Sequence, residues 1–356
     1  MNDLIRRNHY DVTGRVFVAD PRTVCAGVVR ILAQLHPRTG LEPVRRAFAL
    51  FSRLYAGELP GYRGCETRYH DVQHSLDCAL AFARLADGHD RSVAAGERLG
   101  GRHVALGVIA ALFHDAGYIR KDGDRVGHGA ELTLVHVRRS GEFLASVLPG
   151  LGFADEAPVV ERLVHYTGYE MALDAIRLPT RRDHRLGFLL GSADMLAQMA
   201  DRCYLEKCRD FLYEEFELCG LAGAPRDDGP RPLYGSPEEL LGKTREFRDR
   251  LWAERMDGRF EGVYRHAADH FGGANPYLEA IEGHLRRLRE MPAGSRLGDG
   301  LRRRAESIGA GTLRSILTQR PPPAPADLRR RNHHPRRGRN AAPSIASTTK
   351  GVVPCA

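Results

Sequence analysis

This sequence predicts an all-α fold, on three observations. β-Branched residues alternating with polar ones, the mark of a half-buried strand, are nearly absent. Segment after segment instead repeats apolar residues at spacings of three and four. Between these segments lie stretches rich in glycine, proline and charge, such as GELPGYRG at 57–64 and GLAGAPRDDGPRPLYGSP at 220–237.

In chain order, residues 22–36 and 43–56 carry the helical spacing, and 69–86 (YHDVQHSLDCALAFARLA) is a strong helix with Val72, Leu76, Leu80 and Phe82 among its apolar positions. Residues 87–102 read as a polar loop. Residues 104–115 form an almost wholly apolar helix, which belongs inside the protein on every side. A turn-rich loop, 117–129, leads to helix 130–148, which PGLGF ends at 149–153. A short helix at 157–167 and a loop at 177–184 precede a long helical run, 186–218, with a kink expected near Gly191 or Asp201. Residues 237–255, 259–271 and 276–291 carry further helical patterns. No internal repeat is visible. The organisation is an N-terminal arm at 1–20, one domain at 21–290, a short helix or linker at 291–320 and a tail from 321. The tail has almost no aromatic or aliphatic bulk and is expected to be disordered.

Composition narrows the function classes. With 42% hydrophobic residues the chain can bury a sizeable core, and no stretch reaches the length of a membrane span. The N-terminus lacks the apolar region of a signal peptide, so the expected compartment is the cytoplasm and no membrane partner is expected. The seven cysteines form no C-x-x-C pair, which argues against a thiolate zinc site or a disulfide framework. The net charge is +8, but from Arg320 onward eight basic side chains face a single acid, Asp327, so the rest is near neutral. The basic character belongs to the tail, and specific nucleic-acid binding is not expected; a weak tether for an anionic partner is the alternative.

The apolar helix 104–115 runs into His114-Asp115, where ionisable groups are expensive to bury unless something compensates them. A metal ion between them would do so. His70 and His74 stand four apart, one turn along a helix face, although a solvated or core histidine pair has the same spacing. Asp194 sits among Leu189, Leu190, Met195, Leu196 and Met199, with Gln198 one turn on and Asp201 and Arg202 two turns on. A carboxylate there needs a partner, whether an N-cap, an ion pair or a metal.

Together, Y-H-D-V-Q-H at 69–74, A-L-F-H-D-A-G-Y at 111–118 and A-D-M-L-A-Q-M-A-D-R-C-Y at 193–204 resemble the HD superfamily of metal-dependent phosphohydrolases over about 69–204. The first segment is similar to the Y-H-N-x-x-H opening of cyclic-nucleotide phosphodiesterases, with Asp71 in place of asparagine. His128-Gly129 and LVHYTGY at 163–169 resemble the extra histidines of the HD-GYP branch. The resemblance implies a helical core at 69–204 with a helical extension at 205–290. It implies His74, His114, Asp115 and Asp194 as core metal ligands, Asp115 bridging if a second ion binds. His128 and His165 match positions that ligate further ions in binuclear relatives. His70 matches the residue that protonates the leaving oxygen, and Lys121, Gln198 and Arg202 are candidate substrate contacts. For Arg202 a salt bridge to Glu206 is the structural alternative.

The implied activity is hydrolysis of a phosphoester or phosphodiester, in a nucleotide or cyclic nucleotide, by a metal-activated water. One or two divalent ions would neutralise the phosphate oxygens; imidazole and carboxylate ligands suit Mn²⁺, Mg²⁺, Fe²⁺ or Zn²⁺ alike. The chain departs from both branches. Gly168-Tyr169 is followed by Glu170, not proline, which counts against cyclic di-GMP, and Tyr118 replaces the phosphodiesterase histidine four residues after His114. An HD-type di-iron oxygenase and a non-catalytic nucleotide sensor are the competing readings. A homodimer is compatible with the sequence without being required by it.

Overall fold

A computed structural model describes residues 7–225, 231–291 and 300–321. The all-α class expected from the sequence is the one the chain adopts; among the described residues there is no strand, only three isolated bridges such as Tyr62–Lys121. The disordered tail expected from 321 onward falls, but for its first residue, outside the described residues, as does the start of the N-terminal arm.

Helix α1 (Pro21–Leu35) opens at Asp20, whose carboxylate accepts the Arg22 N–H, with proline at the first helical position. Helix α2 (Glu42–Tyr55) follows, and then α3 (Val72–Ser92), the axis of the molecule, every residue of which from Val72 to Asp90 is buried. Around it pack α1, α4 (Gly101–Phe113), α7 (Arg181–Met199) and α12 (His266–Phe271). Between α4 and α7 come α5 (His136–Val147) and α6 (Ala157–Leu163). After α7, α8 (Tyr204–Lys207) and α9 (Tyr213–Leu218) are joined by a π-helical turn, Cys208–Leu212. Helices α10 (Pro237–Gly242) and α11 (Thr244–Leu251) lead into a second π-helical stretch, Trp252–Arg259. Helices α13 (Pro276–Arg289) and α14 (Ala310–Thr318) complete the described chain.

Residues Val104–Phe113 of α4 are all buried, as their composition demands. Each fully buried Leu, Ile, Val or Phe there contributes roughly 1.5–3 kcal/mol of burial free energy. No helix among the described residues is long and apolar enough to cross a membrane.

Several boundaries differ from the sequence reading, each for a local reason. Asp71, not Tyr69, opens α3: its carboxylate accepts the His74 N–H at 2.9 Å, so Tyr69 and His70 precede the helix. The polar run after Ala86 stays helical to Ser92 because its charges are paired inside the fold. Gly88 permits the contact, since a Cβ there would strike the backbone carbonyl of His266. At the start of α7, Thr180 and Asp183 form a reciprocal capping box, so helix begins at Arg181 inside the expected loop. The long run 186–218 breaks after Met199, and Asp201 secures the break by accepting the Cys203 N–H at 2.6 Å. Helix 130–148 is shorter than expected: a 3-10 turn, Gly129–Leu132, precedes α5 at His136.

Candidate metal centre

Three helices deliver four side chains to one point. His74 projects from the first turn of α3 and Asp194 from the last third of α7, two elements packed along each other. His114 is the C-cap of α4, and Asp115 leaves the helix with φ −105° and ψ 8°. That departure swings the Asp115 carboxylate back towards the imidazole of its neighbour. Gly117 lets the chain continue, because a Cβ there would strike the His136 carbonyl, and its N–H donates to Ser140 Oγ at 2.8 Å.

The four donor atoms lie close together. His74 Nε2 is 3.2 Å from His114 Nε2, 3.3 Å from Asp115 Oδ2 and 3.2 Å from Asp194 Oδ1. His114 Nε2 is 3.2 Å from Asp115 Oδ2 and 3.5 Å from Asp194 Oδ1. Donor atoms placed tetrahedrally about 2.1 Å from one ion would stand about 3.4 Å apart. His74, His114 and Asp115 thus form a buried group able to hold a metal ion, and Asp194 Oδ1 lies against both imidazoles of that group.

The tautomer supports the same use. His114 Nδ1 is 2.8 Å from the Ala111 carbonyl, which can only accept, so Nδ1 carries a proton and Nε2 is the nitrogen turned towards the cluster. Asp115 Oδ2, fully buried, has among the described residues no hydrogen bond of good geometry, only the two imidazole nitrogens beside it. Burial opposes charging His74, but Asp115 and Asp194 outweigh it and push the imidazole up to about 9. For Asp115 burial acts upward, yet His114 and His74 hold the carboxylate well below its ordinary range. A cation here replaces protons, and the donor set fits one.

At the rim, His70 and His136 retain 17% and 15% side-chain exposure. His70 Nδ1 donates to Glu215 Oε2 at 2.6 Å, and the other oxygen of Glu215 accepts the Arg68 and Tyr69 N–H groups at 2.7 Å each. His136 Nδ1 donates to the Thr133 carbonyl at 2.6 Å, which turns Nε2 towards Asp115 Oδ1, 3.6 Å away. Tyr118 stacks against both imidazoles, with ring centroids 4.5 Å from His70 and 4.2 Å from His136, which are themselves 6.2 Å apart.

The remaining sequence candidates are placed as follows. Although it precedes α3, His70 still lies against His74, ring centroids 6.1 Å apart. His128 is the N-cap of the 3-10 turn Gly129–Leu132, its Nδ1 accepting the Ala130 N–H at 3.1 Å; the histidine beside Asp115 is His136. His165 is buried in the turn Val164–Tyr166, its Nδ1 without a hydrogen-bond partner. Gln198 joins the site from behind, accepting Tyr69 Oη–H at 3.2 Å and donating to Asp194 Oδ1 at 3.5 Å. Lys121 is half-buried, and its backbone N–H donates to Asp124 at 2.7 Å. Arg202 turns to the N-terminal arm and donates to Asn8 Oδ1 at 2.6 Å; Glu206 pairs with Arg287 instead.

Glu215 and His136 escaped the sequence reading. His136 opens a helix after the His114-Asp115 pair, a signal that was attached to His128 eight residues too early. Nothing local marks Glu215, which lies 145 residues from its partner His70. Compared with protein-family models, with curated proteins and with solved structures, the chain matches none.

Proposed function

We propose that the chain is a metal-dependent phosphohydrolase that cleaves a phosphoester or phosphodiester bond, in a nucleotide or cyclic nucleotide. One observation carries the reading: the imidazoles of His74 and His114 stand 3.2 Å apart and each lies 3.2–3.5 Å from a carboxylate oxygen of Asp115 and of Asp194, all four side chains buried. The order of these residues in the chain, with its resemblance to the HD superfamily, supports the same reading.

When bound, a divalent ion supplies Lewis acidity, neutralising anionic oxygen and making water acidic enough to attack at neutral pH. The protein's own groups do the rest. His114 and His136 are held in one tautomer by backbone carbonyls and need no reorientation. Asp115 presents one oxygen to His74 and His114 and the other to His136, so a second ion could share it. His70, fixed at Nδ1 by Glu215, keeps Nε2 for exchanging a proton with a leaving oxygen at the rim. The donor set does not choose among Mn²⁺, Mg²⁺, Fe²⁺ and Zn²⁺.

The test is phosphate release from a panel of cyclic mononucleotides, cyclic dinucleotides, dNTPs, nucleoside monophosphates and bis(p-nitrophenyl) phosphate, with each metal in turn. Turnover that disappears in Asp115→Ala is expected. Tight iron loading with O₂ consumption and no phosphate release would replace this reading with the di-iron oxygenase. Nucleotide binding without turnover would replace it with the sensor.

A further inference from the structure

The fold buries two arginines among the described residues, Arg84 and Arg255, and treats them differently. Arg84 on α3 donates to Asp11 Oδ2 at 2.5 Å and to Tyr277 Oη at 2.8 Å, so its charge is met by a carboxylate. Arg255, 8% exposed in the π-helical stretch Trp252–Arg259, has no carboxylate partner. It makes one side-chain hydrogen bond, from Nη2 to the Gly168 carbonyl at 2.8 Å. Its guanidinium lies over the Tyr169 ring, 3.7 Å from the centroid. The guanidinium thus meets one protein acceptor among the described residues, and an anion is what its other N–H groups would take.

Its surroundings say where the anion would sit. Asp194, a donor of the metal centre, is close enough to Arg255 for its charge to act on the guanidinium without pairing with it. Tyr169, stacked on Arg255, is 66% exposed, so the pair reaches from the neighbourhood of the metal centre to solvent. Gly168 and Tyr169, which Arg255 contacts, run on into Glu170, whose carboxylate accepts the Val137 N–H at 2.7 Å and lies 3.8 Å from His136 Nδ1. Burial dominates the Arg255 environment and draws its basicity down, as expected for a charge that nearby groups do not fully meet.

We infer that Arg255, backed by Tyr169, is the oxyanion grip of this site, binding phosphoryl oxygens of the substrate. The inference rests on the phosphohydrolase reading for the identity of the anion. A planar fork can bind two oxygens of one phosphate, which a lysine ammonium cannot, and the ring on its other side holds the fork in position. Arg255 belongs to a segment outside the core that carries the sequence resemblance, and it takes the role that the sequence reading gave to Arg202.

The experiment is calorimetric titration of inorganic phosphate into full-length protein carrying Mn²⁺, for wild type, Arg255→Gln, Arg255→Lys and Tyr169→Ala, with Mn²⁺ content measured for each. Wild type is expected to bind phosphate. Arg255→Gln should keep its Mn²⁺ and lose at least tenfold in phosphate affinity; Arg255→Lys should fall between; Tyr169→Ala should lose severalfold. If Arg255→Gln fails to fold, the Lys and Tyr169 variants carry the test through the same ordering. A clamp that merely holds Gly168 would leave phosphate affinity at the wild-type value once Mn²⁺ and fold are retained, and that result overturns the inference. So does a Mn²⁺-loaded wild type that binds no phosphate. Arg255-dependent phosphate binding without hydrolysis of any ester would keep the grip and remove the hydrolase.

Discussion

Helix α3 buries polar side chains at both ends, and the two ends are satisfied in opposite ways. Towards its C-terminus every charge meets a protein partner. Asp90 accepts from His36 and His89 at 2.9 Å each and from the backbone N–H groups of Leu99 and Gly100, while Asp87 pairs with Arg91 and His270. Arg84 and Asp11 belong to the same pattern. Towards its N-terminus, His74 meets His114, Asp115 and Asp194, two imidazoles and two carboxylates that face one another at one point. Buried polarity alone is therefore no sign of a site. What marks one is donor atoms that converge while hydrogen-bonding to something behind them, as His114 does to Ala111.

The largest effect is expected where the pairing is complete. Arg84→Met leaves the buried Asp11 carboxylate without its ion-pair partner, with only Thr13 and the Arg15 and Val16 N–H groups to meet it, which should cost about 3 kcal/mol by urea denaturation and leave metal content unchanged. A loss of metal in that variant would mean that the two ends of α3 are not independent.

Protonation separates the regions next. Burial and the nearby Arg303 hold His284 down at about 4, whereas the carboxylates around His74 push it up. A neutral buried histidine of ordinary value 6.5 binds its proton first in the unfolded chain. Stability supplied by His284 should be present above pH 6.5 and be lost as pH falls towards 4, by up to about 1.4 kcal/mol per pH unit. Thermal unfolding of wild type and His284→Gln across that window checks this, the variant giving the flatter profile.

At the rim, His136→Ala should lower p-nitrophenol release from bis(p-nitrophenyl) phosphate by roughly 10–100-fold, the usual effect of removing a group that supports a metal ligand. His128→Ala, which removes a cap at a surface turn, should change that rate less than twofold. The reverse ranking would return the site to the sequence assignment. Between these two stands Glu215→Gln, which keeps an acceptor for His70 Nδ1 and removes its charge. It should lower the rate about tenfold, because the carboxylate holds the His70 ring in place through Nδ1. A folded variant with the wild-type rate would make Glu215 only a fold contact.

Much of this was legible in the sequence where chemistry and position coincide. The apolar run Val104–Phe113 cannot sit at a surface, and that fixed where His114-Asp115 had to be. Asp194, alone among leucines and methionines, likewise required a partner. The polar end of α3 was not legible, since Asp87, His89 and Asp90 read as loop until their partners on α1 and α12 are known. Glu215 and Arg255 share that cause: each acts on a residue more than 80 positions away, and no local pattern encodes such a contact. His70 shows a subtler failure, since spacing suggested one helix face and the Asp71 cap placed it before the helix.

The convergence of His74, His114, Asp115 and Asp194 is most directly tested by metal content. Wild type and His114→Ala would be stripped with a chelator, reloaded with Mn²⁺, desalted and assayed for bound ion, with circular dichroism to confirm that both are folded. Wild type is expected to retain at least one tightly held ion per chain and the variant to retain none. Wild type that keeps no ion, or a folded variant that keeps as much as wild type, would contradict the metal centre.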